Sequence, residues 1–105
     1  MAIILFGAGT TGTATASFTV KPAAMSCEAE IFLTVGTTKS ATSGKVSFTS
    51  IGGVQTVTLP VTMPSTGGYQ YNVFLDITCQ GILLAGFSST PVVVPSVSNP
   101  MITWA

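Results

Sequence analysis

Alternation of apolar and polar residues along one stretch does most to limit how this chain can fold. From Tyr69 to Cys79 the odd-numbered positions are apolar or amphipathic, and the even-numbered positions are polar except for Phe74. Side chains of a β-strand point alternately to opposite faces, so this pattern predicts a strand with one buried and one exposed face. Residues 27–35 repeat the pattern, with a matching exception at Phe32.

Shorter β-type runs, separated by Gly, Pro and Ser, occur in the rest of the chain, whereas residues 36–44 are expected to form an exposed, mobile loop. The runs cover residues 2–6, 13–21, 45–51, 54–63, 82–87 and 92–94. Gly52-Gly53 predicts a β-hairpin between the two runs that flank it, and Gln80-Gly81 predicts another, while residues 88–91 interrupt the partner strand. Pro60 lacks an amide hydrogen, which predicts an edge strand or an unpaired position. We therefore expect a single all-β domain over residues 1–105.

The low content of charged residues bears most directly on function. Charged residues make up 6% of the chain, against roughly 25% in ordinary soluble domains. Three Lys and three acidic residues give a net charge of zero, which excludes a basic surface for nucleic acid or an anionic membrane. Because the protein has few charges, electrostatic repulsion between its copies is weak. We therefore expect self-association.

The first apolar run indicates where the protein is made. Residues 2–6 are far shorter than the ~20 residues of a membrane-spanning helix. No positive charge precedes the run, which makes it a poor signal peptide. We expect synthesis in the cytoplasm and no membrane partner.

Gly7, Gly9 and Gly12 form a G-x-G-x-x-G pattern after an apolar run, as in dinucleotide-binding proteins. That site needs a helix that begins inside the glycine loop. Residues 13–21 are instead rich in Thr and Ala and precede Pro22, which predicts a strand. We interpret the glycines as a flexible turn and expect neither a cofactor nor a small-molecule substrate.

No catalytic constellation is present, and we expect no enzymatic activity. The chain has no His, the commonest general base, and no G-x-S-x-G motif. Glu28, Glu30 and Asp76 could in principle bind Ca²⁺, but carboxylates two residues apart are more typical of a solvated strand face. We therefore predict no metal site.

Several large apolar side chains fall where a solvated domain would not place them. Phe32 and Phe74 lie at outward positions, which a partner protein or an additional strand such as residues 2–6 could cover; plain exposure is the third alternative. Residues 2–6 are apolar on both faces, which favours insertion at a sheet edge or contact with a neighbouring copy. Trp104 is expected to dock on its own domain or on a neighbour. The interface candidates are Ile3, Ile4, Leu5, Phe6, Phe32, Phe74 and Trp104, and the segments 1–7 and 96–105 are expected to engage neighbouring subunits.

The number and spacing of the strands resemble those of an immunoglobulin-like β-sandwich of about seven to nine mostly antiparallel strands. Cys27 and Cys79 lie on the inward side of their strands, about fifty residues apart, as the inter-sheet disulfide of that family does. The resemblance implies a Cys27–Cys79 bridge; two buried free thiols are the alternative. The chain departs from the family in lacking a Trp on the strand after Cys27 and in having Ile77 where a tyrosine corner would stand.

Size, composition and fold also resemble those of small proteins that decorate or cement virus and phage capsids. This resemblance implies a structural subunit of the virion, made in the host cytoplasm, whose partners are copies of itself and a capsid or other lattice protein. One alternative is an extracellular fibre or pilus-type subunit that polymerises by strand addition. Another is a carbohydrate- or receptor-binding module, in which Tyr69, Tyr71 and Trp104 would form an aromatic platform.

Overall fold

The protein consists of β-strands joined by turns. The computed structural model describes residues 4–98 and 100–104, except for the side chain of Ala85. The strands are β1 (Ile4–Leu5), β2 (Thr11–Thr19), β3 (Ser26–Val35), β4 (Thr38–Thr42), β5 (Val46–Thr49), β6 (Val54–Thr62), β7 (Tyr69–Cys79) and β8 (Ile82–Val94). No helix in this part of the chain is long and apolar enough to cross a membrane. The predicted all-β class is confirmed.

Two sheets of unequal width make up the domain. The larger sheet has the order β1-β8-β7-β3-β4, and β5 also pairs with β3. Strands β4 and β5 lie one after the other along the same edge of β3, at residues 32–35 and 26–29. The smaller sheet contains β2 and β6 alone. All pairs are antiparallel except β1 with β8, so the predicted mainly antiparallel pairing is also confirmed.

One apolar core joins the inner faces of the two sheets. Leu33 of the larger sheet and Leu59 of the smaller one are almost fully buried in the same cluster. In β3 every second side chain from Cys27 to Leu33 is buried, as the alternation predicts, and Thr34 is buried as well. Burial of this inner face is the main favourable contribution to folding, at roughly 25 cal/mol per Å² of apolar surface.

The hairpin predicted at Gly52-Gly53 is wrong. Strand β5 pairs with β3, and β6 pairs with β2, so the connection crosses from one sheet to the other. Ser50 explains why. Its buried side chain accepts a hydrogen bond from the Met25 amide (2.9 Å) and donates one to the Pro22 carbonyl (2.8 Å). These bonds tie the end of β5 to the β2–β3 connection, where the chain also passes from one sheet to the other.

The hairpin predicted at Gln80-Gly81 is confirmed. Both residues have positive φ angles, 51° and 83°, as a two-residue type I′ turn requires. The predicted interruption after residue 87 is wrong, because β8 runs unbroken from Ile82 to Val94. Pro91 is accommodated where the register with β7 shifts, between the pairs Tyr71–Val92 and Val73–Ser89. Pro60 also lies where expected, on β6, whose one strand partner in the described part of the chain is β2.

The two cysteines form a disulfide within one sheet. Cys27 and Cys79 are register partners on the adjacent strands β3 and β7, with their Cα atoms 4.0 Å apart. Both are buried. The immunoglobulin resemblance implied a bridge between the two sheets, and that part of it is wrong. Here the bridge reinforces a strand pair that backbone hydrogen bonds already hold together.

Phe6 and Gly12 explain the glycines that follow β1. A Cβ atom at Gly12 would lie 2.7 Å from Cε1 of Phe6, so the Phe6 ring packs directly over the backbone of β2. Gly9, with φ 73°, does lie in a turn, but Gly12 lies inside β2 opposite Val61. The prediction of a flexible turn is therefore wrong for Gly12, where glycine permits close packing.

The apolar run at the start of the chain is less covered than its composition predicts. Ile4 and Leu5 insert at the edge of the larger sheet, which was one of the two alternatives. Both side chains are exposed, however, so the expectation that both faces are covered is wrong for them. Ala2 and Ile3 lie outside the described residues.

A Gly12→Ala substitution should destabilise the protein by about 1–3 kcal/mol, because Phe6 must move away from the core. Gly53→Ala is the matched control, since no heavy atom lies within 4 Å of its added Cβ. The control should change stability by no more than about 0.5 kcal/mol. Urea denaturation of both variants measures the difference, and equal stabilities would contradict the packing of Phe6 on Gly12.

Replacing both cysteines by alanine should lower the free energy of unfolding by about 4 kcal/mol, because the bridge closes a loop with a sequence separation of 52. Reductant should destabilise the wild-type protein and leave the double variant unchanged. Thiol titration of the unreduced protein in denaturant gives an independent measurement. Two reactive thiols per chain would show that no bridge forms.

Candidate functional site

The outer face of the larger sheet carries most of the charges of the protein. Glu28, Glu30 and Asp76 lie on it, at positions that alternate with the buried residues of β3 and β7. Glu30 and Asp76 are register partners, and like charges directly opposite one another destabilise a sheet. Lys39 offsets this repulsion with Nζ 3.8 Å from Oε2 of Glu30, and the Thr42 hydroxyl donates a hydrogen bond to the same oxygen.

The carboxylates of the outer face are candidate Ca²⁺ ligands on the sequence, and the structure shows how they are grouped. Within residues 4–98 and 100–104, no group of three Asp, Glu, His or Cys residues is placed to hold a metal ion. Glu30 engages Lys39 and Thr42 instead. Glu28, Glu30 and Asp76 are each half-buried on this face.

Phe32 and Phe74 lie on the same outer face and cover each other. They are register partners, and their rings stack with centroids 5.5 Å apart and planes 23° from parallel. Lys39 covers the Phe32 ring as well, with Nζ 4.5 Å from the centroid. Strand β1 lies at the far edge of the sheet, beyond β8, so the expectation that residues 2–6 might cover this pair is wrong for Ile4–Phe6. Both phenylalanines are half-buried.

The inner face of the larger sheet is only partly covered, because the opposite sheet has just two strands. A groove of about 290 Å³ runs between β2 and the pair β7–β8. Leu75 and Phe87 form one wall and Ala14 and Ala16 the other, with Phe6 at the rim. Phe87 is 60% exposed although it lies on the inner face opposite Leu75. The groove is therefore apolar and open to solvent.

Strand β8 presents an unpaired edge next to this groove. Strand β1 covers it only at Val92 and Val93. Over residues 82–88 the edge that faces away from β7 has no partner in the described part of the chain. The large apolar side chains exposed along it are Ile82, Leu83, Leu84 and Phe87.

The segment after β8 exposes a second apolar surface. This post-β8 segment comprises residues 96–98 and 100–104, has no regular secondary structure, and is exposed at every one of these residues. Its first residue, Ser96, lies next to Gly67 and Gly68. Trp104 is 89% exposed, so the expectation that it docks on its own domain is wrong, and contact with a neighbour remains. The molecule is elongated, 71 Å long and 23 by 22 Å across.

The two tyrosines do not form a platform for a sugar. Tyr71 is buried, and its hydroxyl donates a hydrogen bond to the Thr66 carbonyl at 3.0 Å. Tyr69 is half-exposed, and its ring is tilted by 60° from that of Tyr71. Tyr71 therefore belongs to the core, as its inward parity predicted.

The predicted interface residues do not form one surface. Phe32 and Phe74 lie on the outer face, Ile4–Phe6 lie at the sheet edge, and Trp104 lies on the post-β8 segment; Ile3 is outside the described residues. The prediction did not name Ile82, Leu83, Leu84 or Phe87, which are exposed, as are Met101 and Ile102 of the predicted segment 96–105. One signal could have revealed them: no charged residue occurs after Asp76.

Comparison with known proteins gives no guide to the function of these surfaces. No family model, characterised protein or solved structure matches the chain. Any functional assignment must therefore come from the surfaces themselves.

Phe32 and Phe74 should stabilise the fold jointly. A double-mutant cycle with Phe32→Leu and Phe74→Leu should give a coupling of about 0.5–1.5 kcal/mol, as aromatic pairs do. A second cycle with Phe32→Leu and Phe18→Leu is the control, because Phe18 packs against Phe48 on the inner side. Its effects should add to within about 0.5 kcal/mol. Zero coupling in the first cycle would mean that the stacked rings do not interact energetically.

Proposed function

We propose that this protein is a non-enzymatic structural subunit of a larger assembly, and specifically a decoration protein of a virion capsid. Its partners are copies of itself and a capsid lattice protein. The observation that supports the proposal best is the post-β8 segment, in which Val97, Met101, Ile102 and Trp104 are each at least 80% exposed.

A segment of this composition is unfavourable in water and favourable at an interface. Each large apolar side chain gains roughly 1.5–3 kcal/mol when it is fully buried. Trp and Met are also among the residues enriched at protein interfaces, and Trp is among the commonest residues to dominate the binding energy. No charged residue lies nearby in sequence to favour solvation. Docking on a lattice protein would cover these side chains together.

The remaining surface suits a subunit that is fixed in one orientation. All three carboxylates, together with Lys39, lie on or at the edge of the outer face, whereas β8 and the post-β8 segment carry no charge. The charged side could therefore face solvent while the uncharged side contacts the assembly. The elongated shape gives the subunit a reach that a compact domain of this length would lack: its radius of gyration is 17.1 Å, against about 13 Å expected.

An extracellular fibre subunit that polymerises by strand addition is the second candidate. The open edge of β2 beside the apolar groove favours it, because a strand added there would fill the groove. Residues 4–6 are less suited to be that strand, since Ile4 and Leu5 pair with β8 of their own chain and Phe6 packs on Gly12. Filaments visible by electron microscopy and lost on deletion of residues 1–7 would favour this candidate over the first.

Attachment to capsids should depend on the post-β8 segment. Wild-type protein should co-sediment with assembled virions in a density gradient at a fixed copy ratio. The triple variant Met101→Ser/Ile102→Ser/Trp104→Ser should bind at least about 30-fold more weakly, since loss of a dominant interface residue costs about 2 kcal/mol or more.

The control is Ile51→Ser/Val54→Ser, which removes two exposed side chains outside the segment and should bind as wild type does. Wild-type protein that stays with slowly sedimenting material and never joins a particle would contradict the proposal.

A further inference from the structure

The free edges of this molecule differ in how they are protected from pairing with another chain. Soluble proteins usually guard such edges with Lys, Pro, bulges or a covering segment. Lys39 lies on β4, and Lys45 immediately precedes β5. Strand β6 has Pro60 near its centre. Over residues 82–88, β8 has neither Pro nor a charged residue, and nothing in the described part of the chain covers it. Its one irregularity there is a register shift with β7 at Leu84, so residues 85–88 form the regular part of the free edge.

We propose that β8 pairs antiparallel with β8 of a second copy across a two-fold axis, which would join two six-stranded sheets into one continuous sheet. This proposal rests on the proposed function, which includes association between copies of the subunit. It adds the surface through which the copies would associate. It uses a different part of the molecule from the post-β8 segment.

The side chains of β8 are arranged so that β8 can pair with β8 of a second copy. Phe87 faces the inner side, opposite Leu75, whereas Leu83 faces the outer side, opposite Thr78. A two-fold axis perpendicular to the sheet places inner side beside inner side in the two copies. The exposed Phe87 of one copy would then lie beside the inner face of its partner, so the apolar grooves of the two copies would adjoin. Aromatic and aliphatic neighbours across antiparallel strands stabilise each other.

Electrostatic repulsion does not oppose this pairing. The nearest ionisable residue on the adjacent strand is Asp76, the register partner of Gly86. Strands are ~4.8 Å apart, so the two Asp76 residues would be separated by at least about 14 Å. At physiological ionic strength charges are screened over about 8 Å.

The same edge also limits where the partner can bind. Strand β1 already occupies β8 at Val92 and Val93, so pairing is confined to the half that precedes Pro91. The free edge of β2 is uncharged too, but its outward residues are the polar Thr11, Thr13, Thr15, Ser17 and Thr19, which water solvates. Exposed apolar side chains therefore favour β8 over β2 as the edge for a second copy.

Sedimentation velocity of the full, disulfide-bonded chain tests the proposal. Wild-type protein should show a concentration-dependent dimer, and Phe87→Lys should weaken dimerisation at least 100-fold by placing a charge on the edge. Ile51→Lys is the matched control, because Ile51 in the β5–β6 connection is 59% exposed and Phe87 is 60% exposed. The control should dimerise as wild type does. Monomeric wild-type protein at 1 mM would overturn the proposal.

Hydrogen exchange of the wild-type protein tests the pairing without a substitution. Alternate amides of residues 85–88, where the register with β7 is regular, point away from β7, and these should gain protection as protein concentration rises. Amides on the free edge of β6 should not. Either of two results would overturn β8 pairing. One is association of the protein without alternating protection in β8, and the other is equal association of the Phe87→Lys and Ile51→Lys variants. These results would not decide whether the protein attaches to capsids through Trp104. The co-sedimentation of the triple variant tests that proposal separately.

Discussion

Packing between two sheets of unequal width is the constraint on which the structure depends. The core exists because the inner faces of β3 and β6 bury Leu33 and Leu59 against each other. Two strands cannot cover the inner face of six, and the uncovered part lies under β7 and β8, where Phe87 is exposed. The groove is thus a consequence of this mismatch in width, whereas the β8 edge is free because β1 pairs with only a short part of it.

Charged side chains are concentrated on one side of the larger sheet. The outer face of the larger sheet holds every Asp and Glu side chain of the protein. On the same face Phe32 stacks on Phe74, and the Lys39 ammonium lies over the Phe32 ring. Beyond Asp76 the sequence has no charge, and β8 and the post-β8 segment expose their large apolar side chains. Partners are therefore expected on the uncharged side, where covering apolar surface gains free energy and no charge must be desolvated.

Two separate surfaces on that side favour two kinds of contact. The β8 edge is a regular strand that a second copy could extend with backbone hydrogen bonds, whereas the post-β8 segment is irregular and carries its aromatic residue at Trp104. An irregular segment suits a pocket or groove on another protein. A subunit with both could associate with copies of itself and attach to a lattice independently. No enzymatic activity is required for either role.

Local sequence did not reveal β4, which lies in the predicted loop 36–44 and is mostly polar. It did determine β3 and β7, because alternation with a period of two fixes which side chains are buried wherever one face is apolar. It also determined the Gln80-Gly81 turn, which depends on backbone preferences of adjacent residues. Tertiary structure alone decided which strands pair: Ser50 directs β5 to β3, the cysteines meet within one sheet, and Gly12 admits Phe6. Exposure of Phe87 and Trp104 was equally undetermined locally, because burial depends on what lies opposite in space, and two strands facing six leave part of the apolar surface uncovered.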